Sequence, residues 1–197
     1  MDFWTGLIAC FDEESVNRLK ELWRILTDSP DLHGRIYERV PPHITLFEHE
    51  ELRKQEFYDA LESAISKFKT FSLKFTGLTT FPATQVFYLN PEYSSNLQSL
   101  RKLCLETLED QGVILNRKPD STWNPHVTLL LDLPTQEISK AVQISQNYLD
   151  LQITKPFITK ISHIELFSYP PYKAEKKFFL HKTAEKLENQ NGAEDEI

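Results

Sequence analysis

Two histidines and two threonines with matching neighbours are the residues best suited to chemistry in this chain. His43 and Thr45 belong to the sequence PHITL, and His126 and Thr128 belong to PHVTL, so each copy reads Pro-His-apolar-Thr-apolar. Two imidazoles can provide an acid and a base near neutral pH, and two hydroxyl groups can donate hydrogen bonds to phosphate oxygens. The repeated pattern therefore indicates a site that can handle a phosphodiester.

Each copy is predicted to form a strand that separates its polar from its apolar side chains. Residues i and i+2 of a strand share one face, so His43 and Thr45 point to one side while Ile44 points into a core. The alternative is two unrelated strands that each carry a polar face. Because a proline also precedes both histidines, a structural duplication is favoured.

Other elements must position the two motif strands. Hydrophobic periodicity predicts helices near residues 12–28, 53–67, 94–109 and 135–148, and further strands near 3–11, 36–47, 70–75, 85–90, 113–115, 161–169 and 177–181. Gly77 and Phe81-Pro82 are interpreted as turn or loop. This order predicts an α+β fold that is bilobal, with two similar lobes, each bringing one motif to a shared central cleft.

Length and composition predict one domain with a short tail. With 197 residues, of which 40% are hydrophobic, the chain can build a sizeable core, and we expect one bilobal domain over residues 1–183. Residues 184–197 are acidic, lack apolar periodicity, and are predicted to be disordered. The net charge of −7 argues against a partner that is extended duplex nucleic acid.

The remaining bulk features predict a cytoplasmic protein without a membrane anchor. We expect a monomer, although the sequence does not fix the oligomeric state. No apolar run reaches the roughly 20 residues needed to span a bilayer, and the acidic N-terminus is unlike a signal peptide. Cys10 and Cys104 are the two cysteines and form no CxxC pair, which favours reduced thiols, with Cys104 on an apolar helix face.

The paired motifs resemble those of the two-histidine phosphoesterase superfamily, and in particular its 2′-5′ RNA ligase family and its plant-type and bacterial cyclic phosphodiesterases. The resemblance covers residues 3–182 and includes FDEE after the first strand, PPHITL, NPHVTL, and Phe81-Pro82 before the strand VFYL. It implies two lobes of antiparallel sheet backed by helices around a groove. It also implies chemistry on 2′,3′-cyclic or 2′-linked phosphates of RNA and nucleotides, with no metal or other cofactor.

These observations give candidate site residues with distinct roles. His43 and His126 are the predicted catalytic acid and base, in an order that the sequence leaves open, and Thr45 and Thr128 are the predicted phosphate ligands. Aromatic rings can stack on a nucleobase. The candidates for lining the substrate in this way are Trp123, Tyr169 and Tyr172. Charges that could attract phosphate, but that are interpreted as surface residues, are Arg39, Arg117 and Lys173.

The sequence is compatible with several functions. A metal site at His43 and His49 is disfavoured because no HExxH or cysteine-rich spacing accompanies them. The favoured function is hydrolysis of a cyclic phosphate or a 2′-5′ linkage in a small nucleotide or an RNA terminus. The alternatives are 2′-5′ ligation of RNA ends and a non-catalytic nucleotide- or RNA-binding module on the same fold.

Overall fold

The computed structural model describes residues 4–37, 39–49, 55–81, 83–115, 123–149 and 157–181. These residues confirm the predicted α+β class. In chain order the elements are β1 (Trp4–Phe11), α1 (Glu13–Thr27), β2 (His43–His49), α2 (Gln55–Ile65), β3 (Phe71–Phe81), β4 (Val86–Pro91), α3 (Ser95–Asp110), β5 (Val127–Leu130), a short 3-10 helix (Thr135–Glu137), α4 (Ile138–Leu149), β6 (Phe157–Tyr169) and β7 (Lys173–Phe179).

The seven described strands form one antiparallel sheet. Its order is β2-β1-β6-β3-β4-β5, and β7 pairs with β6. The long strand β6 joins two halves, since residues 157–161 pair with β3 while residues 163–168 pair with β7 and residues 161–169 pair with β1. The first motif therefore lies in the half built from β2, β1, β6 and β7. The second motif lies in the half built from β3, β4 and β5.

The two motif strands lie at opposite ends of the strand order, yet β2 and β5 contact each other. The sheet must therefore curl until its ends meet. The apolar residues of both motifs point into the core, as the alternating pattern predicts. Their exposed fractions are at most 2%, and the residues are Ile44, Leu46, Val127 and Leu129.

Helix α1 fits the start signal read from the sequence. The side chain of Asp12 caps it by accepting a hydrogen bond from the backbone N–H of Ser15 at 3.0 Å, and two glutamates occupy its first turn. Its apolar face buries Leu19, Leu22 and Leu26 against the sheet. On α3, Cys104 is buried as predicted, and both cysteines are free.

Three local predictions are wrong. Phe81 does not lie in a turn but is the last residue of β3, paired with Val86. Gly77 is not in a turn but inside β3, at a register shift where a residue without a side chain is well tolerated in a bulge. Residues 113–115 form no strand, because they follow Gly112 with φ of +79° and the Val113 N–H closes the end of α3 on the Leu108 carbonyl. Arg117 and the acidic tail lie outside the described residues. No described helix is both long enough and apolar enough to cross a membrane.

Candidate active site

Both motif histidines are oriented by the same backbone contact. Nδ1 of His43 donates to the carbonyl of Pro41 at 2.7 Å, and Nδ1 of His126 donates to the carbonyl of Asn124 at 2.9 Å. Each acceptor lies two residues before its histidine. A carbonyl can only accept, so Nδ1 carries the hydrogen and the neutral ring keeps its lone pair on Nε2. The two imidazoles thus share one tautomer, which leaves Nε2 to accept a proton.

A cavity of about 200 Å³ lies between the two motifs. His43 and Thr45 line it from β2, and Thr128 lines it from β5. Ile8 of β1, which pairs with Thr45, contributes to its wall. His126 is not among the lining residues, but it is close enough for its charge to act on His43. The structure therefore brings the four predicted catalytic and phosphate-binding residues to one region.

Burial sets the electrostatics of the histidine pair. It lowers the pKa of His43 below its usual 6.5, the charge of His126 lowers it further, and the Pro41 carbonyl and the charge of Glu165 act in the opposite direction. Burial also lowers the pKa of His126, against the effect of the Asn124 carbonyl. Protonation of one ring thus opposes protonation of the other, which suits a pair that shares a single proton.

An indole N–H donates a hydrogen bond to the backbone of each motif strand. Nε1 of Trp123 donates to the Thr45 carbonyl at 3.1 Å, and Nε1 of Trp23, on α1, donates to the Thr128 carbonyl at 3.0 Å. Trp123 is not among the residues that line the cavity. It lies instead against Arg101, whose guanidinium is 4.7 Å from the ring centroid. A stacking role for Trp123 on substrate stays a prediction.

The imidazole of His126 packs in an aromatic environment supplied by β3 and β4. Its ring centroid is 5.0 Å from that of Phe81 and 5.0 Å from that of Tyr88, and these two rings stack on each other at 4.3 Å. The side-chain amide of Asn124 donates to the Tyr88 hydroxyl at 3.2 Å. The β3–β4 hairpin thus holds the second histidine from the side.

The tyrosines predicted to line the substrate do line the cavity. Tyr169 and Tyr172 both contribute to its wall, and so does Tyr37, which the sequence offered no periodic signal to identify. The rings of Tyr37 and Tyr169 meet edge to face at 6.1 Å. A second cavity of about 530 Å³ shares these three tyrosines and includes Arg39. Lys173 instead pairs with a neighbouring carboxylate, that of Glu175, at 2.9 Å.

A polar group on β6 was missed by the sequence reading, although a signal existed. His163 and Glu165 alternate with the buried Ile164 and Leu166, which is the pattern of a strand with one polar face. Glu165 is 2% exposed. Cys10 lies nearby. Each of the three residues has one potential metal-ligand atom, and these three atoms lie within 4.8 Å of one another.

The fold and the site define a class of protein. An antiparallel α+β sheet that brings two His-apolar-Thr motifs together is the arrangement of the two-histidine phosphoesterases. The model of the 2′-5′ RNA ligase superfamily matches residues 11–170, and the chain belongs to this superfamily. No curated protein sequence gives a significant match.

Solved structures share the fold at low sequence identity. A structure described as a phosphoesterase is 17% identical with a TM-score of 0.58, covering 90% of this chain and 98% of its own. E. coli LigT in complex with 3′-AMP is 16% identical with a TM-score of 0.58, with coverage of 89% and 97%. TT0787 of Thermus thermophilus is 17% identical with a TM-score of 0.58, with coverage of 91% and 98%.

Proposed function

We propose that this protein is a phosphodiesterase that hydrolyses 2′,3′-cyclic phosphates or 2′-5′ linkages in small nucleotides or at RNA termini, without needing a metal. The observation that carries the proposal is the matched pair of imidazoles, each held through Nδ1 by a backbone carbonyl, on two motif strands that both line one cavity. Such a pair supplies both proton transfers that the reaction requires. Family membership supports the same reaction class.

The chemistry would proceed as a displacement at phosphorus. The neutral imidazole takes a proton from water through Nε2 while the water oxygen forms a bond to phosphorus. The protonated imidazole donates its Nε2 proton to the ribose oxygen as the bond from phosphorus to that oxygen breaks. Thr45 and Thr128 would donate hydrogen bonds to the non-bridging oxygens, which stabilises the charge that develops there. His43 and His126 can each fill either role in this scheme.

The aromatic lining of the cavity and the nucleotide complexes of similar proteins both support a nucleotide as the substrate. Tyr37, Tyr169 and Tyr172 offer aromatic faces beside the histidines, on which a base could stack. Structures of E. coli LigT are described as complexes with 3′-AMP, ATP and NADP+. These complexes support the proposal that a cleft of this kind accepts a nucleotide.

A substrate panel tests the proposal. The purified chain is incubated, with a chelator present, with a 2′,3′-cyclic nucleotide, a 2′-5′-linked dinucleotide, and a 3′-5′-linked dinucleotide as the control. The double variant His43→Ala/His126→Ala serves as the blank. We expect hydrolysis of at least one of the first two compounds and none with the blank. Equal hydrolysis by the blank, or no hydrolysis of any compound, would overturn the proposal.

Ligation is the second candidate, and the description of the matched superfamily as 2′-5′ RNA ligases supports it. In ligation the 5′-hydroxyl of a second RNA end, in place of water, forms the bond to phosphorus while the bond from phosphorus to the ribose 3′-oxygen breaks, which needs the same base and acid. Incubating RNA fragments that end in a cyclic phosphate and in a hydroxyl would show a 2′-5′ joined product. Nucleotide binding without turnover at any pH would instead indicate a non-catalytic module.

A further inference from the structure

Glu165 lies on the same face of the sheet as the first motif. Across neighbouring strands Thr45 pairs with Ile8, Ile8 pairs with Glu165, and Glu165 pairs with Lys177. Side chains of directly paired residues project to the same side of a sheet. The carboxylate therefore lies two strands from Thr45, on the side that faces the cavity.

A buried carboxylate is costly unless it is paired, and Glu165 has partners at both oxygens. The hydroxyl of Tyr172 donates to Oε1, and Nζ of Lys177 lies 3.3 Å from Oε2. Nε2 of His163 is 3.8 Å from Oε2. Burial raises the pKa of Glu165, but the contacts with His163 and Lys177 outweigh it and hold this pKa below its usual value. The carboxylate is therefore charged at neutral pH.

The contact with Glu165 determines where the Tyr172 ring lies. Tyr172 lines both cavities, and its ring stacks on that of Phe167 at 5.8 Å with an angle of 23° between the planes. Phe167 in turn lies over Gly6, where an added Cβ would be 2.8 Å from the Phe167 ring. The ring of Tyr172 is thus held on one face by Phe167 and at its hydroxyl by Glu165.

We infer that Glu165 is a positioning residue for the substrate, acting through Tyr172. This inference rests on the proposed function, because it concerns how the same site holds a nucleotide. Glu165 does not line the cavity itself. It holds the Tyr172 ring in place, and this ring lines both cavities. In addition, the negative charge of Glu165 favours the protonated form of His43.

The charge effect on His43 must be weighed against every neighbouring group. Some described titratable or charged side chains line the two cavities, some lie in the rows of paired residues that cross the sheet from His43 and Thr45, and one acts on His43 by its charge. They are Cys10, Tyr37, Arg39, Glu48, His126, His163, Glu165, Tyr169, Tyr172 and Lys177. Of these, Glu165 and His126 act on the pKa of His43, in opposite directions. Removing the charge of Glu165 therefore lowers the pKa of His43.

The same carboxylate could instead be read as a metal ligand, together with Cys10 and His163. One observation favours the positioning role: both oxygens of Glu165 are already engaged, by Tyr172 and Lys177.

Two variants separate the two effects of Glu165. Tyr172→Phe removes the hydroxyl and leaves the carboxylate charged, so KM for the cyclic nucleotide should rise roughly 2- to 10-fold, the value of one hydrogen bond, with kcat and the pH profile retained. Glu165→Gln keeps the shape of the side chain and removes the charge. It should raise KM and also move one limb of the pH–rate profile to lower pH.

Glu175→Gln is the matched control, because Glu175 is a nearby carboxylate on β7 that accepts from Ser168 at 2.7 Å. It should behave as wild type in KM and in the pH profile. Binding of a nucleoside 3′-monophosphate, measured by calorimetry, gives a readout that does not depend on turnover, and it should weaken in Tyr172→Phe and Glu165→Gln but not in Glu175→Gln. Circular dichroism confirms that each variant is folded.

The outcomes distinguish this inference from the proposed function. Wild-type KM, nucleotide affinity and pH profile in folded Glu165→Gln would overturn the positioning role, even if the histidine variants are inactive. Tight Zn²⁺ binding that is lost in both Cys10→Ser and Glu165→Gln would also overturn it. Fully active histidine variants would overturn the proposed function instead.

Discussion

The two motifs share their local geometry but not their surroundings. In both halves Nδ1 of the histidine donates to the carbonyl two residues earlier, and in both an indole N–H donates to the carbonyl of the threonine. His43, however, lies beside a charged network on β6 and β7, whereas His126 packs against the stacked rings of Phe81 and Tyr88.

The difference in surroundings shows that a short sequence repeat can encode the local geometry of a motif but not the environment of its histidine. The repeated residues specify strand pairing, side-chain face and tautomer, all of which depend on neighbours within a few positions. The environment of each ring comes from strands that are not repeated. We therefore expect the two halves to be alike in the size of their catalytic contribution and unlike in their response to charge.

The largest expected effect comes from removing either imidazole. His43→Ala and His126→Ala should each lower kcat for a 2′,3′-cyclic nucleotide by roughly 10²–10⁴, because each ring performs one of the two proton transfers. Steady-state kinetics checks this. His33→Ala is the control, since the side chain of His33 is 73% exposed and pairs with Glu137 on the surface. Wild-type turnover by either motif variant would contradict the expectation that the two motifs contribute equally to catalysis.

Loss of a threonine hydroxyl should have the next largest effect. Thr45→Val and Thr128→Val keep the shape of the side chain but remove a donor to the phosphate, and each should lower kcat by up to about 10²–10³. Thr45→Ser and Thr128→Ser, which keep the hydroxyl, should stay close to wild type. If valine at only one position lowers kcat, only one of the two hydroxyl groups donates a hydrogen bond to the phosphate.

Much of this arrangement could be predicted from the sequence, and the limits have physical causes. The faces of His43 and Ile44 follow from strand alternation alone, and the start of α1 follows from the capping preference of Asp12. Gly77 was misassigned because a turn preference is local, whereas pairing with β4 continues past the bulge. The partnership of Tyr172 with Glu165 requires knowing that β6 lies beside β1 and β7, which no local pattern contains.

The indole hydrogen bonds of Trp23 and Trp123 should contribute to stability, and Trp23 also lines the cavity. Trp23→Phe and Trp123→Phe each leave one carbonyl without its indole donor, so the free energy of unfolding should fall by about 0.5–1.5 kcal/mol. Urea unfolding measures both values. Unchanged stability in both variants would show that these two hydrogen bonds do not stabilise the fold.

The smallest expected effect is a pH dependence of stability. The pKa of both motif histidines is lower in the folded protein than the usual 6.5, so between these values the unfolded chain binds protons that the folded protein does not. The free energy of unfolding should therefore fall as the pH drops through 6.5, and the fall should end below the folded-state pKa values.

Urea unfolding near pH 7.5 and near pH 5.5 measures this fall. The folded-state pKa of Glu165 is below its usual 4.5, so its titration lies outside this window. The double variant His43→Ala/His126→Ala should lose stability less steeply than wild type. An equal slope in the two proteins would contradict the burial of the imidazoles.

The pH dependence of kcat/KM tests the shared histidine pair most directly. With a 2′,3′-cyclic nucleotide, wild type should give a bell-shaped profile with its maximum below pH 6.5, because activity requires one proton on a pair whose pKa values are both lowered. Residual activity of His43→Ala and of His126→Ala should each lack one limb. A flat wild-type profile, or a bell that persists in either variant, would contradict the account.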